Sequence, residues 1–176
     1  TAFLMQGLLT VREYFRDGSE TERGMCNAIT DLWESVEWSW YRRQDQNLLY
    51  WHWSPDREWV MNLGISGWNE ALIVYILAAA SPSYPVPSVT YTEGWARNGS
   101  YPMINSKSFY NIKLPLGPDY GGPLFFAHYS FLGLDPRNLA DQYASYWEQN
   151  VAHSKINHAY CTANPRGYAG YAENCW

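Results

Sequence analysis

The sequence predicts an all-α domain that carries one short β-hairpin and long aromatic loops. Apolar residues recur at helical spacing over residues 2–16 and 20–42, and residues 67–80 predict a helix that is apolar on nearly every side. Between and after these segments, aromatic residues crowd into stretches rich in proline and glycine, which favour loops. Helices that alternate with long loops indicate an architecture in which the loops gather at one end.

The first two helices have clear sequence limits. The pattern of the first helix stops before Gly18, a residue that often ends helices. The second helix is predicted from Glu20 or Thr21 to about Arg42, with acidic residues near its start and arginines at its end, as the helix dipole favours.

The next segment predicts a hairpin and then a central helix. Residues 48–53 alternate aromatic and polar side chains, and residues 58–62 form a short aromatic segment. A Ser-Pro-Asp turn separates the two segments. Ser66 is a suitable N-cap for a helix over residues 67–80, and a helix without a polar face is expected to be buried.

The second half of the chain is less regular. Residues 81–127 hold most of the prolines and suit no long helix, although residues 109–114 predict a strand. Asp135 followed by Pro136 predicts the start of a helix that runs to about residue 150, and a further helix is predicted over residues 151–163.

The amino-acid composition and net charge limit the kinds of molecule that the protein is expected to bind. Aromatic residues make up 18% of the chain, with ten Trp and fifteen Tyr, whereas the net charge is −5 and the pI is about 5.3. Phosphate backbones require a basic surface, so the acidic balance argues against nucleic acid. No apolar run is long enough for a membrane helix. Sugar rings stack on Trp and Tyr, so we expect an oligosaccharide or polysaccharide partner.

Glu70 is the candidate catalytic acid. It lies between tryptophan-rich sequence and the apolar helix, and a glycosidase needs one protonated carboxyl group and a second carboxylate. Trp68 could supply the apolar surroundings that raise a carboxyl pKa, whereas a place in the first helical turn would favour ionisation. An ordinary helix-start acid therefore remains an alternative. The candidates for the partner carboxylate are Glu34, Glu37, Glu93 and Glu173.

Aromatic and polar neighbours of Glu70 form the predicted substrate site, although each could equally be a core or structural residue. The predicted substrate-binding residues are Trp51, His52, Trp53, Trp68, Asn69, His128 and Tyr129. The histidines lack metal-ligand spacing, and no nucleotide motif occurs, so we expect neither a metal nor a cofactor. Cys26, Cys161 and Cys175 are too few for a disulfide framework, with one Cys161–Cys175 bridge left open.

Five longer runs of sequence resemble the bacterial glucoamylase-like family of glycoside hydrolases, which includes endo-β-1,2-glucanases. They are LWESVEWSWYR (32–42), LYWHWSP (49–55), GWNEALIVYILAAASP (67–82), HYSFLGLDPR (128–137) and NPRGYAGYAENCW (164–176). The resemblance implies an (α/α)6 barrel, inverting hydrolysis of a β-glucan without a metal, and export to the periplasm or outside the cell. It also implies that Glu70 is the catalytic acid and that His128 lies in the cleft.

The chain departs from the family in length. A twelve-helix barrel needs far more than 176 residues, and the sequence predicts only about five helices. We therefore expect residues 1–176 to be one partial catalytic domain, whose partner carboxylate and missing barrel remainder lie elsewhere. A carbohydrate-binding relative without catalysis, or an inactive fragment of the barrel, remains an alternative.

Overall fold

The computed structural model describes residues 1–174 and is mostly helical, which confirms the predicted class. The α-helices are α1 (Ala2–Phe15), α2 (Glu20–Ser35), α3 (Leu72–Ala80), α4 (Phe125–His128) and α5 (Tyr146–Ala163). The strands are β1 (Leu49–Tyr50), β2 (Gly64–Ile65), β3 (Ser108–Phe109) and β4 (Ile112–Lys113). None of the described helices combines the length and hydrophobicity that crossing a bilayer demands.

The described residues form two compact units. The first contains residues 1–66 and 71–98, and the second contains residues 67–70 and 99–174. In the first unit α1 packs against α2 and α3. The core of the second unit surrounds α5 and includes several fully buried side chains, among them Met103, Leu114, Leu116 and Ile156.

Helix α2 starts where predicted and ends earlier. Ser19 and Glu22 form a capping box, in which the Ser19 amide donates to the Glu22 carboxylate at 2.6 Å. The helix stops at Ser35, and a separate 3₁₀ helix covers Trp38–Arg42, so the predicted single helix to Arg42 is wrong. The break brings the ring centroids of the buried residues Trp33 and Trp38 to within 5.7 Å of each other. In a continuous helix the two side chains would point in directions about 140° apart around the helix axis.

The predicted hairpin is present with a different second strand. Leu49 pairs with Ile65 in an antiparallel register. Glu58 forms only an isolated antiparallel bridge with Ser54, and residues 59–61 form a turn instead of a strand. Glu58 and Asn62 have positive φ angles of 47° and 43°, which a strand does not accommodate. The hydroxyl of Tyr75 on α3 joins both strands, accepting from the Leu49 amide at 3.0 Å and donating to the Ile65 carbonyl at 2.6 Å.

Helix α3 begins later than predicted. Gly67 has a φ of +75° and the side-chain Nδ2 of Asn69 donates to the Gly67 carbonyl, so residues 67–71 form a turn in front of Leu72. The prediction that Ser66 caps this helix is therefore wrong, because the N-cap residue is Ala71. Burial of the apolar helix is confirmed for most of its length, with Tyr75 only 1% exposed.

The loop-rich segment 81–127 contains no long helix, as predicted. The predicted strand at 109–114 is instead the tight hairpin of β3 and β4, which turns at Tyr110 and Asn111 with φ angles of 52° and 63°. A short π-helix covers Thr90–Trp95 in the first unit.

The two helices predicted after Asp135 are replaced by the single helix α5. The Asp135 carboxylate accepts from the amide and guanidinium of Arg137, which closes a local turn, and Asn138 then has a φ of 63°. Cys26 and Cys161 are buried thiols. Cys175 lies outside the described residues, so a Cys161–Cys175 bridge stays a prediction.

Candidate functional site

Glu70 lies in the turn before α3 and is held by its backbone. Its carbonyl oxygen accepts a hydrogen bond from the Ser130 hydroxyl at 2.7 Å. The side chain is partly exposed. Glu70 precedes the N-cap residue Ala71, so the prediction that it lies in the first helical turn is wrong.

Trp68 forms the buried wall of this turn. Its indole is 2% exposed and stacks on Tyr146 of α5, with ring centroids 5.7 Å apart and planes inclined by 25°. The Tyr146 hydroxyl donates to the Asp141 carboxylate at 2.6 Å, and this hydrogen bond fixes the orientation of the Tyr146 ring. Asn69 lies between Trp68 and Glu70 and is half-buried.

His128 and Tyr129 lie in the same unit as Glu70, immediately before Ser130. The His128 Nε2 atom is 3.1 Å from the Ser154 hydroxyl, whose own hydrogen is donated to the Asn150 carbonyl. Nε2 of His128 must therefore carry the proton and donate. Tyr129 is 47% exposed beside Phe125, so its ring is open to a ligand.

The other three predicted residues belong to the first unit. Trp51 is 57% exposed, with its ring 6.0 Å from that of His52. Trp53 meets Trp40 edge-on, with centroids 5.9 Å apart, and the centroid of Trp59 lies 6.3 Å from that of Trp40. This aromatic group fits stacking against sugar rings.

The predicted partner carboxylates are exposed. Glu34 and Glu37 lie on the first unit's surface, and Glu93 accepts from the Asn47 amide at 2.9 Å. Glu173 is also exposed, in the second unit.

Other acids of the second unit have structural partners. The pKa of Asp119 is lowered by hydrogen bonds from Lys107, and Arg137 lowers the pKa of Asp135 to about 2. Such groups remain ionised and are poor proton donors. No cluster of three or more His, Cys, Asp or Glu side chains suited to a metal occurs among residues 1–174.

Sequence reasoning missed a buried polar face on α5. Gln149 and His153 are fully buried and bond the loop 116–122. Burial is the main cause that lowers the pKa of His153. No spacing signal marks these residues, because their partners lie about 30 residues away in the sequence.

Comparison with known families gives one clear match. The family described as "Putative glucoamylase" matches residues 62–176, which is most of the chain. A curated relative, the exo β-1,2-glucooligosaccharide sophorohydrolase (non-reducing end) of Parabacteroides distasonis, is 44% identical over all of this chain and 27% of its own length.

Two solved structures share the fold of the chain. The endo-β-1,2-glucanase from Chitinophaga pinensis, in complex with sophorotriose and glucose, is 50% identical with a TM-score of 0.91. The match covers 98% of this chain and 41% of that one. The β-1,2-glucanase from Parabacteroides distasonis is 43% identical with a TM-score of 0.93, over 99% of this chain and 27% of that one.

The chain thus spans between about a quarter and two fifths of the length of these relatives. The family match covers far more than half of the chain and agrees with both structural similarities. The chain therefore belongs to the glucoamylase-like family.

Proposed function

We propose that the protein is a glycoside hydrolase that cleaves β-1,2-glucan internally, as an endo-β-1,2-glucanase with inverting acid/base chemistry. The observation that carries this proposal is the partly exposed Glu70 carboxylate, which stands in a turn fixed by Ser130 and Trp68. The names of the relatives, a sophorohydrolase and two β-1,2-glucanases, support the β-1,2-glucan substrate.

In this proposal Glu70 is the general acid that donates its proton to the glycosidic oxygen. A second carboxylate, roughly 6.5–9.5 Å from the first, removes a proton from water on the opposite face of the sugar. The chain spans only 27–41% of the length of its relatives, so we assign the base to the part of the protein outside this chain. Protonation of the leaving oxygen and attack by water then invert the anomeric centre.

The remaining predicted residues would bind the glucan. Exposed rings such as Trp51 and Tyr129 offer faces to sugar C–H groups. Asn69 and His128 offer hydrogen-bond donors to hydroxyl groups. Trp68, which is buried, would shape the wall behind Glu70.

We further propose that the chain forms part of an (α/α)6 barrel that the rest of the protein completes. The resemblance to the glucoamylase-like family implies export, so we propose a periplasmic or secreted location. Fractionation of cells that express the full-length gene product, followed by immunodetection, tests the location. Detection of the protein in the cytosol alone would refute it.

The direct test of the function is Glu70→Gln in the full-length protein. We expect release of reducing sugar from β-1,2-glucan to fall by roughly 10²–10⁴-fold, because the amide cannot donate a carboxylic proton. Glu148→Gln, an exposed change on α5, is the matched control and should retain activity. Wild-type activity of the Glu70 variant would remove this residue from the mechanism, and a panel of other β-glucans tests the linkage.

A carbohydrate-binding protein without catalysis is the second candidate. Three acids of the second unit favour this candidate because they already have partners and are therefore poorly suited to catalysis. Asp119 and Asp135 are ion-paired, and Asp141 accepts a hydrogen bond from Tyr146. Calorimetric titration of the full-length protein with β-1,2-glucooligosaccharides distinguishes the two. Binding without turnover supports this candidate, whereas turnover excludes it.

A further inference from the structure

The loop 116–122 is fastened to α5 by two fully buried side chains. Oε1 of Gln149 accepts from the Leu116 amide at 2.8 Å, and its Nε2 donates to the Leu116 carbonyl at 3.2 Å. One turn further along α5, His153 donates from Nε2 to the Gly122 carbonyl at 2.9 Å. The carbonyl oxygen can only accept, so the proton of neutral His153 lies on Nε2.

The fastened loop fits closely between α5 and the indole of Trp68. A Cβ atom at Gly117 would lie 2.8 Å from Trp68 Cδ1, and one at Gly121 would lie 2.2 Å from His153 Cδ2. Both glycines have φ angles above +90°, which other residues rarely adopt. The loop is packed tightly on both sides. A change in the positions of Gln149 and His153 would therefore move the loop and, with it, Trp68.

Trp68 is thereby confined on two sides. Tyr146 stacks on its ring, and Gly117 approaches its Cδ1 edge. The backbone that follows leads directly to Glu70, whose carbonyl oxygen is fixed by Ser130. A shift of the loop would free the Gly117 side and allow the turn that carries Glu70 to move.

We propose that Gln149 and His153 are positioning residues, which place the Glu70 carboxyl group by holding loop 116–122 against Trp68. This inference rests on the proposed role of Glu70 as general acid. Neither residue needs to touch the glucan. A displacement of about 1 Å at a reacting group can lower the rate by roughly 10²-fold, so a buried clamp of this kind affects turnover.

The test compares Gln149→Met with Ile156→Val in the full-length protein. Methionine approximates the shape of glutamine but removes both bonds to Leu116, whereas the valine change removes one buried methylene from α5 and leaves both bonds in place. The measurements are kcat and KM on β-1,2-glucan, together with amide hydrogen exchange of residues 66–72 and 112–122.

For Gln149→Met we expect kcat to fall by roughly tenfold or more with KM changed less, because positioning acts on the reacting carboxyl group. Exchange should quicken in both peptides. Ile156→Val should keep the wild-type kcat and wild-type exchange of residues 66–72. A wild-type kcat and unchanged exchange of that peptide in Gln149→Met would overturn the proposal.

The exchange measurement needs no catalysis. It therefore tests the clamp by Gln149 and His153 separately from the catalytic role of Glu70. If Glu70→Gln stays active, the proposed function fails while the exchange result still reports on the clamp. If Gln149→Met does not fold, His153→Leu replaces it, because it removes the donor to the Gly122 carbonyl without placing a charge in the core. Faster exchange of residues 66–72 in that variant supports the clamp, and unchanged exchange refutes it.

Discussion

The indole of Trp68 stacks on the ring of Tyr146, with 5.7 Å between the centroids and 25° between the planes. Trp68 belongs to the turn that carries Glu70, and Tyr146 is the first residue of α5. The stack therefore links the start of the long helix to the candidate catalytic residue, and the two functional groups of Tyr146 can be tested separately.

Tyr146→Phe keeps the stack and removes the hydrogen bond to Asp141, so we expect a loss of about 1 kcal/mol in unfolding free energy and nearly full activity. Tyr146→Ala leaves a cavity beneath Trp68 and should cost about 3–5 kcal/mol, with a clear loss of turnover. Urea unfolding and glucanase assays measure both variants. Equal activity of the two would show that the ring does not support the site.

A second prediction concerns Tyr75, whose hydroxyl joins β1 to β2. Tyr75→Phe leaves the buried Leu49 amide and Ile65 carbonyl without this partner, at a cost of about 1–3 kcal/mol. Tyr14→Phe, at a residue that is 81% exposed, should leave the unfolding free energy unchanged. Equal stability of the two variants would contradict the bridging role of Tyr75.

The regular helices of the first unit could be predicted because their signals are local. The stripe of α1 and the acids beside Ser19 act within a few residues, and the periodicity reports them directly. The start of α5 could not be predicted, since Asp135 followed by Pro136 suits a helix start and a turn equally well. The hydrogen bonds from Arg137 to the Asp135 carboxylate stabilise the turn instead of a helix start.

The sequence singles out candidate site residues and does not predict how they are arranged. Glu70, His128 and Tyr129 stand out in the sequence because they occupy unusual aromatic motifs. Ser130 and Gln149 carry no such mark, and their bonds to Glu70 and Leu116 span 60 and 33 residues. Contacts at such separations depend on how the loops fold over α5, which no local pattern encodes.

A third prediction concerns the glycine that faces His153. Gly121→Ala should destabilise the protein by more than about 1 kcal/mol, because φ is +91° and the added Cβ would meet the imidazole at 2.2 Å. Gly7→Ala in α1 has open space and should instead stabilise by about 0.5–1 kcal/mol. Thermal unfolding of both variants checks the opposite signs, and a stabilised Gly121 variant would refute the close fit.

The last feature to test is the buried imidazole of His153. Burial lowers its pKa, and a positive charge on nearby His128 lowers it further, while the bond to the Gly122 carbonyl acts in the opposite direction. Unfolded histidine has a pKa of about 6.5, so the unfolded chain binds a proton at a higher pH than the folded protein does. The stability contribution is complete above pH 6.5 and is lost as the pH falls towards the lowered folded pKa.

We therefore expect the unfolding free energy to fall below pH 6.5 with a His153 contribution of at most about 1.4 kcal/mol per pH unit. His153→Leu removes this titration along with the bond to Gly122, so the variant should be less stable at pH 7.5 yet show a flatter pH dependence. His158→Gln, at an exposed position of the same helix, should keep the wild-type slope. Urea unfolding between pH 7.5 and 5 measures all three proteins, and an unchanged slope in His153→Leu would show that another group titrates.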